Sequence, residues 1–159
     1  MKSIESLKLI ISILICNSAG FIGSIFTTSA LPTWYDSLEK PSFNPPSWVF
    51  GPVWITLYTL MGISAYLVWR KGIHNSQVKT ALIIFGVQLF LNAIWSPIFF
   101  GLRALFAALV VIVILWIAIL FTIFAFYKIS KAAAVLLIPY IFWVSLATIL
   151  NYSLWILNS

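Results

Sequence analysis

Five stretches of this chain, Leu9 to Ala30, Trp48 to Trp69, Thr80 to Phe100, Ala104 to Tyr127 and Ala132 to Leu157, are apolar and almost free of charge. Each is long enough to cross a hydrocarbon core of about 30 Å as a helix, which takes about twenty residues at a rise of roughly 1.5 Å apiece. Lipid offers backbone amides no partner, so a lone spanning segment must bond its own N–H and C=O groups, and only a helix does that. The pattern predicts an all-α fold, an integral membrane bundle of five transmembrane helices. Composition agrees. With 63% hydrophobic and 8% charged residues, the chain has too little polar surface to coat a water-soluble globule. The spans use nearly all of the 159 residues, so a single domain over 1–159 is expected, with no room for a soluble catalytic module. Gly101 to Arg103 leave only a tight turn between the third and fourth spans, which forces those two antiparallel.

The formal charge of +6 does not point to nucleic acid, because the basic residues stand in ones, twos and threes at the ends of apolar runs and form no stripe. The single cysteine, Cys16, lies inside an apolar run. That excludes an internal disulfide and a cysteine-based zinc site, and leaves a small buried hydrophobe. Lys2 and Lys8 before the first run, with Thr28-Ser29-Ala30 after it, imitate a cleavable secretory signal. The run outlasts a signal core, however, and Ile15 before Cys16 is too bulky for a lipoprotein cleavage site, so this helix is expected in the mature protein. Orientation follows from the basic residues of the connections. Lys2, Lys8, Arg70, Lys71, Lys79, Lys128 and Lys131 fall on one side and Lys40 and Arg103 on the other, seven against two. Cytoplasmic loops hold the excess, which puts the N-terminus in the cytoplasm of a bacterial cell membrane and the C-terminus outside.

The longest connection, Leu31 to Ser47, contains Pro32, Pro41, Pro45 and Pro46, which remove backbone donors and fix φ, so it is expected to be a stiff loop and not a regular helix throughout. It carries Trp34, Tyr35 and Phe43 beside Asp36, Glu39 and Lys40. That mixture suits a lid over one mouth of the bundle, and equally an interfacial aromatic belt.

No ionisable residue lies well inside any span, which argues against an ion-coupled pump or proton relay. His74 falls in the loop between the second and third spans, so histidine ligation of haem within the bundle is not available. The polar groups inside are neutral: Asn17 and Ser18, Gln88 and Asn92, and Ser145, Thr148 and Asn151. Side-chain amides in hydrocarbon must find partners. Gln88 and Asn92 are four residues apart and share a helix face, as do Trp54, Tyr58 and Gly62, and Trp143, Ala147 and Asn151. Such faces fit ordinary contacts between membrane helices, where small residues allow close approach and amides bond across. They also fit an apolar cavity with one or two oriented polar groups, the usual composition of a site for a flat lipophilic molecule. With eight Trp in the chain, broad rings are at hand to sandwich such a ligand.

Several blocks carry a resemblance over essentially the whole chain, in order. They are Trp34-Tyr35-Asp36-Ser37-Leu38-Glu39-Lys40-Pro41, Asn44-Pro45-Pro46-Ser47-Trp48, Pro52-Val53-Trp54, Leu57-Tyr58 and Met61-Gly62 in the first half. In the second half they are Gln88-Leu89, Asn92, Trp95, Pro97-Ile98-Phe99-Phe100-Gly101, Pro139-Tyr140, Trp143, Ala147-Thr148 and Leu150-Asn151-Tyr152. In these the chain resembles the TspO/MBR family, the tryptophan-rich sensory proteins of bacteria and the translocator protein, or peripheral-type benzodiazepine receptor, of mitochondria. The resemblance implies a five-helix bundle, usually a homodimer, that binds porphyrins, haem, sterols and synthetic benzodiazepine-site ligands. Carried over by position, it implies Trp54 and Trp143 as aromatic walls, with Tyr58 on the same face as Trp54. Asn92 becomes a polar contact, Trp95 and Ala147 further lining, and Trp34 and Tyr35 a lid. It also implies a sterol motif, of which Leu150 and Tyr152 remain. No Lys or Arg follows Tyr152, so that pattern is incomplete and sterol affinity is expected to be low. Gly86 is followed four residues on by Phe90, so the small-residue repeat through which some bacterial relatives pair is broken here.

The function these readings predict is a membrane receptor or carrier for tetrapyrroles such as protoporphyrin IX and haem, needing no metal, cofactor or covalent chemistry of its own and tied to porphyrin homeostasis or stress. The alternative is an enzyme degrading porphyrin oxidatively, including by light-dependent chemistry. No histidine or carboxylate pair inside the spans supports conventional catalysis. A third class is an assembly protein whose bundle holds no small molecule.

Overall fold

A computed structural model of the chain describes residues 2–159. Its helices are α1 (Lys2–Ala30), α2 (Ser47–Trp69), α3 (Ser76–Ser96), α4 (Leu105–Tyr127), α5 (Lys131–Leu136) and α6 (Ile138–Leu157), and two wider π turns, Leu31–Tyr35 and Pro97–Gly101, extend α1 and α3. No strand occurs among the described residues. With α5 and α6 taken together, five helical rods are long and apolar enough to cross a membrane, as the apolar runs require.

The first rod is longer than its apolar run. The backbone does not leave the helix at Leu31; it continues through Pro32 to Tyr35 as a π turn. Proline inside an α-helix lacks a donor and collides with the carbonyl four residues back, and a wider turn relieves that collision. Thr33 Oγ1 then donates to the Ser29 carbonyl at 3.1 Å. Pro97 acts likewise at the end of α3, where the Leu102 amide reaches back to the Pro97 carbonyl at 2.9 Å. The fifth rod is broken at Leu137, just before Pro139. The turn into α4 is closed by Arg103, which takes a φ of 55°.

Between membrane helices lipid supplies no hydrophobic drive, so close packing and hydrogen bonds must hold the bundle. α1 lies against α2 and α3, α3 against α4, and α4 against both halves of the fifth rod, while α2 meets that rod chiefly through α5. The α1–α2 contact depends on Gly62: a Cβ there would stand 2.5 Å from Ile13 Cα. α2 joins α5 through Ser64 Oγ, which donates to the Ala133 carbonyl at 2.7 Å. Met61, Phe126, Leu137 and Tyr140 fill the inner core, and Tyr35, Phe99, Phe100 and Leu154 a second cluster at the other end. The termini lie at opposite ends. Glu5 reaches Lys8 at 3.0 Å and Arg70 at 3.9 Å, while Asn158 bonds both the amide and the carbonyl of Glu39, at 2.9 and 3.0 Å.

Candidate functional site

Because α2 turns to α5 and away from α6, side chains rather than backbones fill the space between them, and they do not fill it completely. A cavity of about 550 Å³ remains between α1, α2, α3 and α6 in the half of the bundle that holds the C-terminus. Trp54 and Tyr58 form one wall, stacked at 5.5 Å and 27°. Trp143 forms the opposite wall and meets Phe50 edge-on at 6.1 Å. Trp95 stacks on Phe99 at 4.9 Å and anchors its indole N–H on Asn151 Oδ1 at 3.2 Å. Asn151 in turn donates to the Leu105 carbonyl at 2.9 Å. Aromatic rings in offset or edge contact hold one another rigidly, so these walls keep their spacing.

The floor is a chain of polar side chains bonded to one another. The Tyr58 hydroxyl donates to Asn92 Oδ1, Asn92 Nδ2 donates to the Tyr140 hydroxyl at 2.7 Å, and that hydroxyl donates to Gln88 Oε1 at 2.8 Å. Gln88 Nε2 ends the chain on Met61 Sδ at 3.8 Å. Four polar side chains from three helices thus bond one another, as burial among membrane helices demands. Asn92 retains one amide hydrogen and one lone pair for a further partner. At the other end the roof is Tyr35, 2% exposed, whose hydroxyl donates to Asn44 Oδ1 at 2.7 Å, backed by Phe99 and Phe100.

The TspO/MBR family profile matches residues 12–156, nearly the whole length over which these helices run. The chain belongs to the TspO/MBR family. It is 47% identical over 154 residues to the tryptophan-rich protein TspO of Archaeoglobus fulgidus, covering 96% of this chain and 98% of that one. It is 44% identical over 136 residues to the human translocator protein (85% and 80%) and 39% identical over 139 residues to the tryptophan-rich sensory protein of Cereibacter sphaeroides (86% and 85%). The TspO/MBR resemblance read from the sequence therefore holds, and with it a multi-pass membrane protein.

Of the residues singled out in the sequence, Tyr35, Trp54, Tyr58, Asn92, Trp95, Trp143, Ala147 and Leu150 line the one cavity. Trp34 does not line it. It stands behind the roof, edge-on to Phe99 at 5.7 Å, with the Arg103 guanidinium 5.9 Å from its ring. Trp34 and Tyr35 also sit on the π turn that continues α1, and not on a free loop. Tyr152 faces outward, 52% exposed, beside Trp155, so the two residues of the sterol-motif remnant point in different directions. Sequence reasoning passed over Gly20, Phe50, Phe99 and Phe100 as lining residues. Gly20 could have been found from its place on a face of small residues, Gly20, Gly23 and Thr27, at helical spacing. Phe99 and Phe100 could not, because they lie within the π turn Pro97–Gly101, whose wider winding shifts which face they occupy.

Proposed function

We propose that this TspO/MBR protein is a membrane receptor or carrier that binds a tetrapyrrole, such as protoporphyrin IX or haem, in the aromatic cavity. The observation that carries the reading is the cavity's make-up: about 550 Å³, walled by Trp54, Trp95 and Trp143 and floored by one amide with bonding capacity to spare. Small-molecule pockets run to about 300–1,000 Å³, mostly apolar with a few convergent polar groups. A flat conjugated ring slides between indoles, and its carbonyl or carboxylate edge can reach Asn92. Within this reading Trp54 and Trp143 supply most of the binding free energy, Trp95 and Ala147 shape the slot, and Tyr35, with Trp34 behind it, covers it. The chain acts as one five-helix domain and pairs as a homodimer, as its family likeness suggests. It lies in a bacterial cell membrane, N-terminus in the cytoplasm, with Arg70, Lys71, Lys79, Lys128 and Lys131 on that side.

Protoporphyrin IX titrated into the purified protein tests the reading through Trp fluorescence. Saturable quenching is expected; an emission that falls only linearly, as in free indole, contradicts it and favours a bundle that holds no small molecule. Absorbance of the bound pigment, unchanged in light and in darkness, is the result for a binder; light-dependent bleaching supports the degrading enzyme.

A further inference from the structure

The cavity is roofed at the end that holds the C-terminus, and its exposed lining residues lie on the α1–α2 flank of the bundle. On the aqueous side the roof is bonded shut by Tyr35 on Asn44, and the loop above it is tied to the end of α6 by the paired Glu39–Asn158 bonds. On the α6 side Phe50 and Trp143 meet edge-on. Between α1 and α2 the side-chain tie beside the cavity is Asn17 Nδ2 on Thr59 Oγ1 at 3.5 Å, on the inner side of Tyr58. Those helices touch backbone to backbone at Gly62 and Ile13; farther along, the Tyr58 ring lies between them, so close to Gly20 that a Cβ there would collide with it. Beyond Tyr58 the lining includes Phe21 and Thr28 on α1 and Gly51 and Ile55 on α2, and these four also form the outer surface of the bundle, Phe21 at 69% and Ile55 at 64% exposure. A Cβ at Gly51 would meet nothing within 4 Å.

We infer that this α1–α2 cleft is a lateral portal through which a lipophilic ligand passes from the bilayer into the cavity without crossing water. The inference rests on the cavity being a ligand site. Thr28 lies seven residues before Tyr35, and Ile55 eight residues past Ser47. That places Thr28 and Ile55 about 10–12 Å along their rods from the outer ends at 1.5 Å per residue, with Gly51 nearer that end and Phe21 deeper, a span that falls to one leaflet of the bilayer. The rim suits that medium. Thr28 Oγ1 donates to the Ser24 carbonyl at 2.8 Å and Ser24 Oγ to the Phe21 carbonyl at 2.7 Å, so its hydroxyls spend their hydrogens on their own helix and present no unpaired donor to lipid. A ligand dissolved in the leaflet is already concentrated at this depth and enters edge-on between the two helices.

A plug in the portal raises one barrier for entry and exit alike, so both rate constants fall together and the equilibrium constant stays put. The test uses protein in lipid nanodiscs with Cys16→Ser and a reporter thiol, Ala147→Cys, inside the cavity, reacted with the membrane-soluble probe N-pyrenyl maleimide. Gly51→Trp should slow labelling roughly tenfold or more, while Gly51→Ala labels at the parental rate. Thr28→Trp, on the facing rim, should repeat the effect and serves if Gly51→Trp does not fold. In the Ala147 parent, Gly51→Trp should slow protoporphyrin IX association and dissociation by a common factor. Labelling unchanged in both rim variants overturns the portal. If labelling slows but the unplugged protein binds no protoporphyrin IX, the portal stands and the tetrapyrrole reading falls.

Discussion

At the scale of single residues, the positions that matter most are those whose polar atoms are spoken for. Asn92 bonds Tyr58 with its oxygen and Tyr140 with its nitrogen, so it holds α2, α3 and α6 together before it does anything for a ligand. Removing it strips the Tyr58 hydroxyl of its acceptor, whereas Tyr140 keeps Gln88. A neutral hydrogen bond nets about 0.5–1.5 kcal/mol, and between membrane helices the average is nearer 0.6. Asn92→Ala should therefore lower unfolding stability by about 1 kcal/mol, measured by denaturant titration in micelles, and weaken protoporphyrin IX binding only several-fold, most for ligands bearing a carboxylate. A stability equal to the parent's would show that the amide network does not hold the helices. The amide pair Gln88 and Asn92 was legible in the sequence because a spacing of four puts both on one face. Its partners were not, since Tyr58 and Tyr140 stand 34 and 48 residues away from Asn92 and only the fold brings them to it.

Among elements, the rods could be read from hydropathy and the joints could not. Apolar length fixes how many crossings there are, but whether proline ends a helix or is absorbed depends on whether the backbone can widen around it. At Pro32 and Pro97 it widens, so α1 runs on to Tyr35 and α3 to Gly101; at Pro139 the rod breaks instead. The backbone contact between α1 and α2 rests on one glycine, Gly62. A Cβ on Gly62 would meet Ile13 Cα at 2.5 Å and Ile13 N at 2.9 Å, backbone atoms that cannot swing aside, whereas at Gly86 nothing lies within 4 Å. The same substitution should therefore act in opposite directions. Gly62→Ala should cost about 1–3 kcal/mol by overpacking, while Gly86→Ala should be neutral or gain up to about 1 kcal/mol in helix propensity. Thermal unfolding of the two variants side by side decides it, and equal losses would mean that α1 and α2 are not in backbone contact.

The whole molecule has two unlike ends, one carrying Lys8, Arg70, Lys71, Lys79, Lys128 and Lys131, the other the aromatic roof and Arg103. The proposed orientation, basic end in the cytoplasm, is tested by single cysteines placed in a Cys16→Ser background at Ser37 and Ser76, which should differ toward an impermeant thiol reagent on intact cells. Ser37→Cys should react and Ser76→Cys should be protected; the reverse pattern inverts the orientation. The cavity runs from the roof to the middle of the bundle, and its aromatic walls are the surfaces proposed to bind a flat ring. Truncating a large aromatic in a packed site costs roughly 3–5 kcal/mol, against about 1 for a hydrogen bond, so the walls and not the floor should decide affinity. The most direct measurement is protoporphyrin IX titration of the Trp54→Ala, Trp143→Ala double variant, read from the pigment's own absorbance, with thermal unfolding recorded alongside to confirm that the bundle stands. Binding should be nearly abolished in the folded double variant and largely kept in Trp143→Phe, which retains a ring. A folded double variant that binds protoporphyrin IX as tightly as the parent contradicts this and places the site elsewhere.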